Sequence, residues 1–401
     1  MKKTLLAVSV SLAAFTASAS DYNPGARIYA MGGAGTAVAD YLNAGFYNPA
    51  LAAVDPDSYF GLVIPTLSVD VRDEGELLDG IDDFQDAFEA AEKEPTSQAK
   101  RDAAADALGA LSDDKAHVAA GLGLSVAIPT QFISLNLYFK AYGDAVVMPD
   151  IDQDDIAKIK DPLTNIDPNN PTNLYQLGTQ ASVIAAGITE FGVATAKMFN
   201  IAGQNISVGI TPKLQEITTY RYTIKVDDFD ADDYDNDKYM NEESHFNFDV
   251  GAIWLPMENV RVSVVGKNLI SKTVDVYNEA GWNGDYTYKL EPKFTVGAAL
   301  VSDLFTVTGE MDLNEQTRFT SSGNAVNPSD DTQFIRLGAE VDAFGWAQLR
   351  AGYKTDTKNT IDDAFTVGLG FSPFNKVHLD ISGSYVDESA FGAAAQLAFT
   401  F

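Results

Sequence analysis

The stretch TQFIRLGAEVDAFGWAQLRAGYK, residues 332–354, decides how the whole chain is to be read. Ile335, Leu337, Ala339 and Val341 fall on one side of an extended segment while Arg336, Glu340 and Asp342 fall on the other, the period of two that a strand with one apolar and one wet face requires. A junction at Phe344 ends the first run, and a second begins at once. Only a tight turn fits between them, so the pair is an antiparallel hairpin.

The pattern recurs outward in both directions. Phe305, Val307, Met311 and Leu313 oppose Thr306, Thr308, Glu310, Asp312 and Asn314; Val377, Leu379 and Ile381 oppose His378, Asp380, Ser382 and Ser384; Val260, Val262 and Val264 oppose Arg261, Ser263 and Lys267. Slipping such a strand by one residue in a bilayer would carry charge into hydrocarbon at about 2–4 kcal/mol for each mid-membrane Arg or Lys. The register is therefore strongly set.

Counted this way the chain holds fourteen strands, at 58–70, 116–128, 131–146, 181–198, 205–224, 244–255, 259–276, 286–301, 304–319, 332–343, 345–354, 362–372, 376–387 and 391–401. Connections after even strands are short, such as Pro129-Thr130 and Ser302-Asp303, whereas 71–115, 147–180, 225–243, 277–285 and 320–331 are long and polar. A soluble sandwich has no reason to sort its loops. An outer-membrane barrel does, because its periplasmic turns are tight and its outward loops long. The expected fold is therefore all-β, a 14-stranded antiparallel transmembrane β-barrel over residues 55–401, with both ends of the chain on the periplasmic side.

Composition narrows the function. There are 57 acidic against 27 basic residues, a net charge of −30, which argues against nucleic acid as a partner. The chain has no cysteine, so disulfides, thiol catalysis and cysteine metal sites are excluded. Three histidines, His117, His245 and His378, sit in no catalytic motif, and nothing calls for a cofactor or an enzymatic role. Residues 1–19, with Lys2-Lys3, an apolar run from Leu5 to Phe15 and Ala17-Ser18-Ala19, read as a secretory signal peptide. No later run approaches the ~18 apolar residues of a spanning helix.

Residues 20–54 belong to neither signal nor barrel. The part ARIYAMGGAGTAVADYLNAGFYNPALAAV, 26–54, is too rich in Gly and Ala for a strand, and small residues suit a segment threaded through a walled space. Asn48 is placed to cap a short helix with Pro49 at its first position. Gly33-Ala34-Gly35 opens a G-x-G, but Val38 replaces the third glycine and no βαβ unit follows, so a nucleotide loop is excluded. The reading is an N-terminal plug.

The run Ala26-Arg27, Met31-Gly32-Gly33-Ala34-Gly35, Ala37-Val38-Ala39-Asp40 and Phe46-Tyr47-Asn48-Pro49-Ala50 resembles the N-terminal signature of the FadL-like superfamily of outer-membrane barrels, and the whole chain resembles the barrel proteins called conjugal-transfer TraF. That name is shared with a thioredoxin-like periplasmic protein, which this sequence does not resemble. The resemblance implies a Gram-negative outer membrane, a hatch at Gly32, Gly33, Gly35, Asn48, Pro49 and Ala50, and passage of long-chain fatty acids or similar hydrophobic or amphipathic molecules. Leu51 departs from the Gly that often follows in the family. The terminal Phe401, ending a strand of alternating apolar residues, resembles the signal read by the barrel-assembly machinery.

Further stretches carry candidate chemistry. Leu77, Ile81, Phe84 and Phe88 recur with helical spacing inside an extracellular insertion at 74–111, either packing on the second helix at Ala103–Leu111 or offering Phe84 and Phe88 to a greasy ligand. Within the acidic loop 227–243, Asp233, Asp235 and Asp237 match the first positions of a calcium loop, but Lys238 stands where Gly is wanted and Ser244 where Glu is wanted. A solvated acidic face is the simpler reading there. The lumen is expected to hold both signs of charge, including Lys213, Arg261, Lys267, Lys289, Glu291, Lys293, Glu310, Arg336, Glu340 and Arg350, with Phe132, Tyr138, Tyr142 and Phe334 as an apolar wall. Opposite charges there pair across strands, or Arg and Lys face the carboxylate of an amphipathic ligand. Trp254 and Phe374 at the periplasmic end, and Tyr277, Trp282, Tyr286 and Tyr288 at the outer rim, are expected in aromatic girdles.

Overall fold

The computed structural model describes residues 24–55, 58–73, 75–112, 114–161, 177–226 and 239–401. Alternating side chains close into an antiparallel barrel of fourteen strands: β1 (Gly61–Arg72), β2 (Ala116–Ile128), β3 (Ser134–Asp150), β4 (Gln180–Ile201), β5 (Gln204–Lys225), β6 (Met240–Met257), β7 (Val260–Lys267), β10 (Lys293–Val301), β11 (Phe305–Asp312), β13 (Phe334–Ala343), β14 (Ala347–Asp356), β15 (Ala364–Phe371), β16 (Val377–Tyr385) and β17 (Ala390–Thr400). β17 returns to β1 with Gly61 opposite Thr400, so no edge is left open. Tight turns gather at the end that also carries Phe401, whose N donates to Phe60 O at 2.9 Å.

Three of the strands expected from the sequence are each two. The segments read as 259–276, 286–301 and 304–319 leave the wall partway, and their outer parts pair with one another as β8 (Lys272–Asp275), β9 (Asp285–Leu290) and β12 (Phe319–Ser322). Asn268 breaks the first with a left-handed backbone (φ 52°), and Pro292, which has no N–H for the ladder, breaks the second. The small sheet folds inward rather than upward. Val274, Val276, Tyr286, Tyr288, Leu290 and Phe319 pack against Tyr142, Val146, Met148, Ile184, Ile188 and Ile217 on the inner face of β3, β4 and β5. Tyr286 and Tyr288 are therefore core residues of this inner sheet, not members of a girdle.

The outer surface is an apolar band with aromatic margins. Phe191 and Phe199, Phe246 and Trp254, and Phe391 and Phe399 are paired eight residues apart on outward faces, about 26 Å along a strand and roughly 20 Å of height at a ~40° tilt. That suits a membrane-crossing apolar belt of ~25 Å. β4 and β5 are each 22 residues long, against 8 for β7 and β15, so one side of the barrel stands far above the belt.

Helices roof the taller side. α3 (Leu77–Lys93), α4 (Gln98–Ala110) and α5 (Gln153–Lys160), numbered after the two one-turn helices α1 (Ala26–Tyr29) and α2 (Ala44–Tyr47) of the N-terminal segment, share one core with Leu111, Leu177 and Val226. The segment 24–55 lies inside the barrel and forms the main lumenal core with Tyr138, Ala196, Ile253 and Ala299.

Candidate functional site

The lumenal segment is shaped by its small residues. Gly32 and Gly33 take left-handed backbone (φ 67° and 85°), turning the chain after α1, and a Cβ on Gly35 would strike the Tyr47 ring at 2.5 Å. Asn48 Oδ1 accepts from Ala50 N at 3.0 Å while Nδ2 donates to Thr36 O at 3.0 Å, so one side chain caps the 3-10 turn Pro49–Ala53 and ties it to the glycine run. Pro49 opens that turn, as its missing N–H allows.

Two seats in the wall receive the segment where strands lack inner side chains. At one, Asn48 and Pro49 press on Gly251 of β6 and Gly209 of β5; a Cβ at Gly251 would lie 1.9 Å from Asn48 Oδ1. At the other, Met31 and Gly32 press on Gly338 of β13 and Gly352 of β14, where a Cβ would lie 2.1 Å from Gly32 N. Backbone meets backbone at both. Such contact fills space as closely as protein packing permits and tolerates no added methyl group.

Polar side chains of the wall complete the attachment. Ser207 donates to Ala50 O (2.6 Å), Asn136 to Leu42 O (2.8 Å), Thr366 to Ala30 O (2.9 Å) and Lys267 to Phe46 O (2.6 Å), while Thr36 N donates to Glu310 (2.9 Å). Arg27 forms a two-pronged pair with Glu340, which Arg350 also reaches before passing to Asp380 at 2.6 Å. Arg336 takes Asp312 with both Nη atoms and touches Glu310, and Lys293 joins Asp312 at 3.2 Å. Under the taller wall Lys140, Glu190, Lys213 and Asp249 form a second buried chain. Removing one member of such a chain costs about 3–5 kcal/mol, because its partner stays buried and charged.

Between the segment below and the small sheet above lies a cavity of about 190 Å³. Its floor is Tyr29, Gly32, Gly33, Thr36 and Tyr47, and its roof is Tyr288, Lys289, Leu290 and Arg318. Seven Lys and Arg side chains line it, Arg72, Lys267, Lys289, Lys293, Arg318, Arg336 and Lys354, against Asp70, Asp144, Glu291 and Glu310. The chamber is thus net positive inside an acidic protein. Lys289 and Lys354 have no carboxylate at ion-pair distance among the described residues; Lys354 instead lies 5.3 Å from the Phe334 ring centre, and Arg336 stacks on the other approach at 4.7 Å. Burial works against the Arg318 charge, but Asp144 and Asp330 outweigh it and hold its guanidinium above the ordinary value.

The residues singled out from the sequence separate into groups. Phe334 and Arg336 line the chamber; Arg350 and Tyr138 are lumenal but engaged, Tyr138 packing on Phe46 and donating to Glu190. Phe132 is not lumenal: it lies exposed in the β2–β3 turn beneath the Lys197 ammonium, because the strand starts later than its alternation suggests. Phe84 and Phe88 are the interior of the helical roof, 0% and 6% exposed, packed with α4 and α5. Asp233, Asp235 and Asp237 lie outside the described residues, as does the signal segment. Among the described residues no group of three or more His, Asp or Glu is placed to hold a metal ion. His117 borders the chamber, whereas His245 bonds Ile270 O and His378 sits between Ser372 and Thr400.

A closed fourteen-stranded barrel with an internal N-terminal segment defines the class. Residues 45–312 match the family described as F plasmid transfer operon, TraF, protein, and the chain belongs to that family. Comparison with curated proteins finds no match. Solved structures share the fold: a mutant of the TodX monoaromatic hydrocarbon channel (10% identity, TM-score 0.54, covering 94% of this chain and 99% of that one), a FadL homologue of Pseudomonas aeruginosa (10%, 0.52, 94% and 98%) and the toluene transporter TbuX of Ralstonia pickettii (10%, 0.50, 94% and 98%). At that identity the likeness speaks for the FadL-like architecture alone.

Proposed function

We propose that this protein sits in the outer membrane of a Gram-negative bacterium and admits small hydrophobic or amphipathic molecules, with residues 20–54 as the hatch that yields to them. The observation that carries this reading is the chamber between hatch and inner sheet. It sets a cationic excess beside the apolar surfaces of Tyr29, Tyr47, Tyr142, Val265, Leu290 and Phe334, a pairing suited to an anionic head on an apolar body such as a fatty acid. That the resembling barrels are described as a hydrocarbon channel, a toluene transporter and a FadL homologue adds support. The apolar belt would face lipid, and Phe401 would present the terminal signal to the assembly machinery.

The test is uptake and binding of labelled octanoate, longer fatty acids and toluene in cells with and without the protein. Uptake should depend on the protein, and Lys354→Gln should weaken binding of the carboxylates more than that of toluene. Equal uptake in both strains, with no binding by the purified barrel, removes the reading.

A second reading has its own support. The hatch is tied to the wall on every side, as befits a non-conducting barrel that serves envelope or conjugation machinery, and the family takes its name from a transfer operon. Deleting residues 45–52 separates the two. It abolishes selective uptake under the first and leaves uptake untouched under the second.

A further inference from the structure

The inner sheet β8–β9–β12 covers the chamber from above. The sheet is held to the tall wall by apolar packing, by Arg221 of β5, by Lys272 of β8 paired with Glu243 of β6, and by Arg318, next to β12, paired with Asp144 of β3 at 3.4 Å. Arg221 is 1% exposed, and its guanidinium donates to Gly284 O and Asn283 O at 2.9 Å each and to Asn278 Oδ1 at 3.3 Å, with the Trp282 and Tyr286 rings 5.1 and 4.8 Å away. Among the described residues it meets no carboxylate. Carbonyl and ring contacts release an arginine to water far more cheaply than a buried ion pair does. At the tip of the same loop Asn283 Nδ2 donates to Asp150 Oδ2 of β3 at 2.7 Å.

β8 and β9 join the wall at two chain breaks, the left-handed Asn268 and Pro292, and form a flap connected at its base, while β12 is carried on the segments 313–318 and 323–333 between β11 and β13. That flap carries Lys289 into the chamber, where it is one of the two cations without an ion-pair partner among the described residues. We propose that β8–β9–β12 is an outer gate, latched by Arg221, which swings from the tall wall to admit solute and closes upon an anionic solute through Lys289. The proposal rests on the transport reading above and adds a second barrier to it: solute would be enclosed between gate and hatch before the hatch yields. A solute that binds Lys289 only when the flap is down must shift the flap toward closure by the ratio of its two affinities.

Because the chain has no cysteine, one introduced thiol reports on the chamber alone. Ala119 lines it, and Ala119→Cys changes little volume. In the purified full chain, folded by the heat-dependent gel shift, the rate of reaction with a sulfonated maleimide measures opening without any need for transport. Arg221→Gln should raise that rate at least fivefold. Joining tip to wall with Asp150→Cys and Asn283→Cys, oxidised to the disulfide, should lower it at least fivefold relative to the same chain with Asp150→Ser and Asn283→Ser, in which the tip is free. Octanoate should slow labelling in the otherwise native chain and have no effect when Lys289→Gln is added.

Equal labelling with the tip free and pinned overturns the gate, and an octanoate effect that survives Lys289→Gln, or is absent from the native chain, overturns its coupling to solute. If the flap opens and closes as stated while cells show no protein-dependent uptake, the transport reading fails alone.

Discussion

Arg27 and Glu340 stand 313 residues apart in the sequence and face each other inside the barrel, the Nε and Nη2 atoms each donating to one carboxylate oxygen at 2.8 Å. Both side chains are largely buried, so the pair joins the first helical turn of the hatch to β13 in a medium where an unpaired charge is costly. Glu340 is shared with Arg350, which ties the same point to Asp380 on β16. The N-terminal segment is thus braced against three strands, β13, β14 and β16, rather than one.

Arg27→Ala should free the leading part of the hatch without opening the wall. At about 3–5 kcal/mol for a broken buried pair, hatch release becomes more favourable by roughly two to three and a half orders of magnitude. Limited proteolysis should then cut within residues 24–55 while the heat-dependent gel shift stays as in the native chain. Loss of the shift itself would mean that the pair holds the barrel, not the hatch.

The glycine seats make a sharper demand. Gly251→Val places atoms where Asn48 Oδ1 now lies and should drive Asn48–Ala50 off the wall. Single-channel recording in a planar bilayer should show Gly251→Val conducting more than the native barrel. Gly383→Ala serves as control, since the nearest atom to its new Cβ is 3.5 Å away. Equal conductance in all three would show that the seat does not govern the pore.

Much of this arrangement can be read from residue pattern, and the exceptions have physical causes. The faces of β7, β11, β13 and β16 follow from alternation because an apolar outside and a polar lumen leave no other register. The cap at Asn48 follows from the dipeptide Asn48-Pro49. The inner sheet does not, because Tyr286, Tyr288 and Leu290 alternate as well as any lipid-facing run; only Pro292 and Asn268 mark the departure, and neither is decisive in isolation. The seats at Gly209, Gly251, Gly338 and Gly352 are equally silent. A glycine in a strand says that something approaches closely, and only the folded chain says what.

Asn48→Asp separates the two duties of one side chain. An aspartate keeps an oxygen for Ala50 N but cannot donate to Thr36 O, and it adds a charge at a fully buried position. Asn48→Ala loses both bonds, each worth about 1 kcal/mol or more. If capping dominates, the aspartate variant should protect the hatch from protease nearly as well as the native chain. If the link to the glycine run dominates, both variants should be cut at similar rates, at least tenfold faster than native.

Phe84→Ser and Phe88→Ser probe the roof. Phe84 and Phe88 pack ring to ring at 5.5 Å within the core that α3 shares with α4 and α5, so each change removes a large buried side chain and leaves a hydroxyl in its place. The cost for Phe84, about 3–5 kcal/mol, exceeds what a small three-helix cap can lose and remain folded. Cleavage by protease between residues 74 and 111 should follow, with the barrel's gel shift intact because the lumenal core of Tyr138, Ile253 and the N-terminal segment is separate from that of the helices. Uptake is the second measurement on the same variants. A fall in uptake while the roof still resists protease would assign Phe84 and Phe88 a direct part in collecting ligand; a fall only where the roof is cut assigns them to its packing.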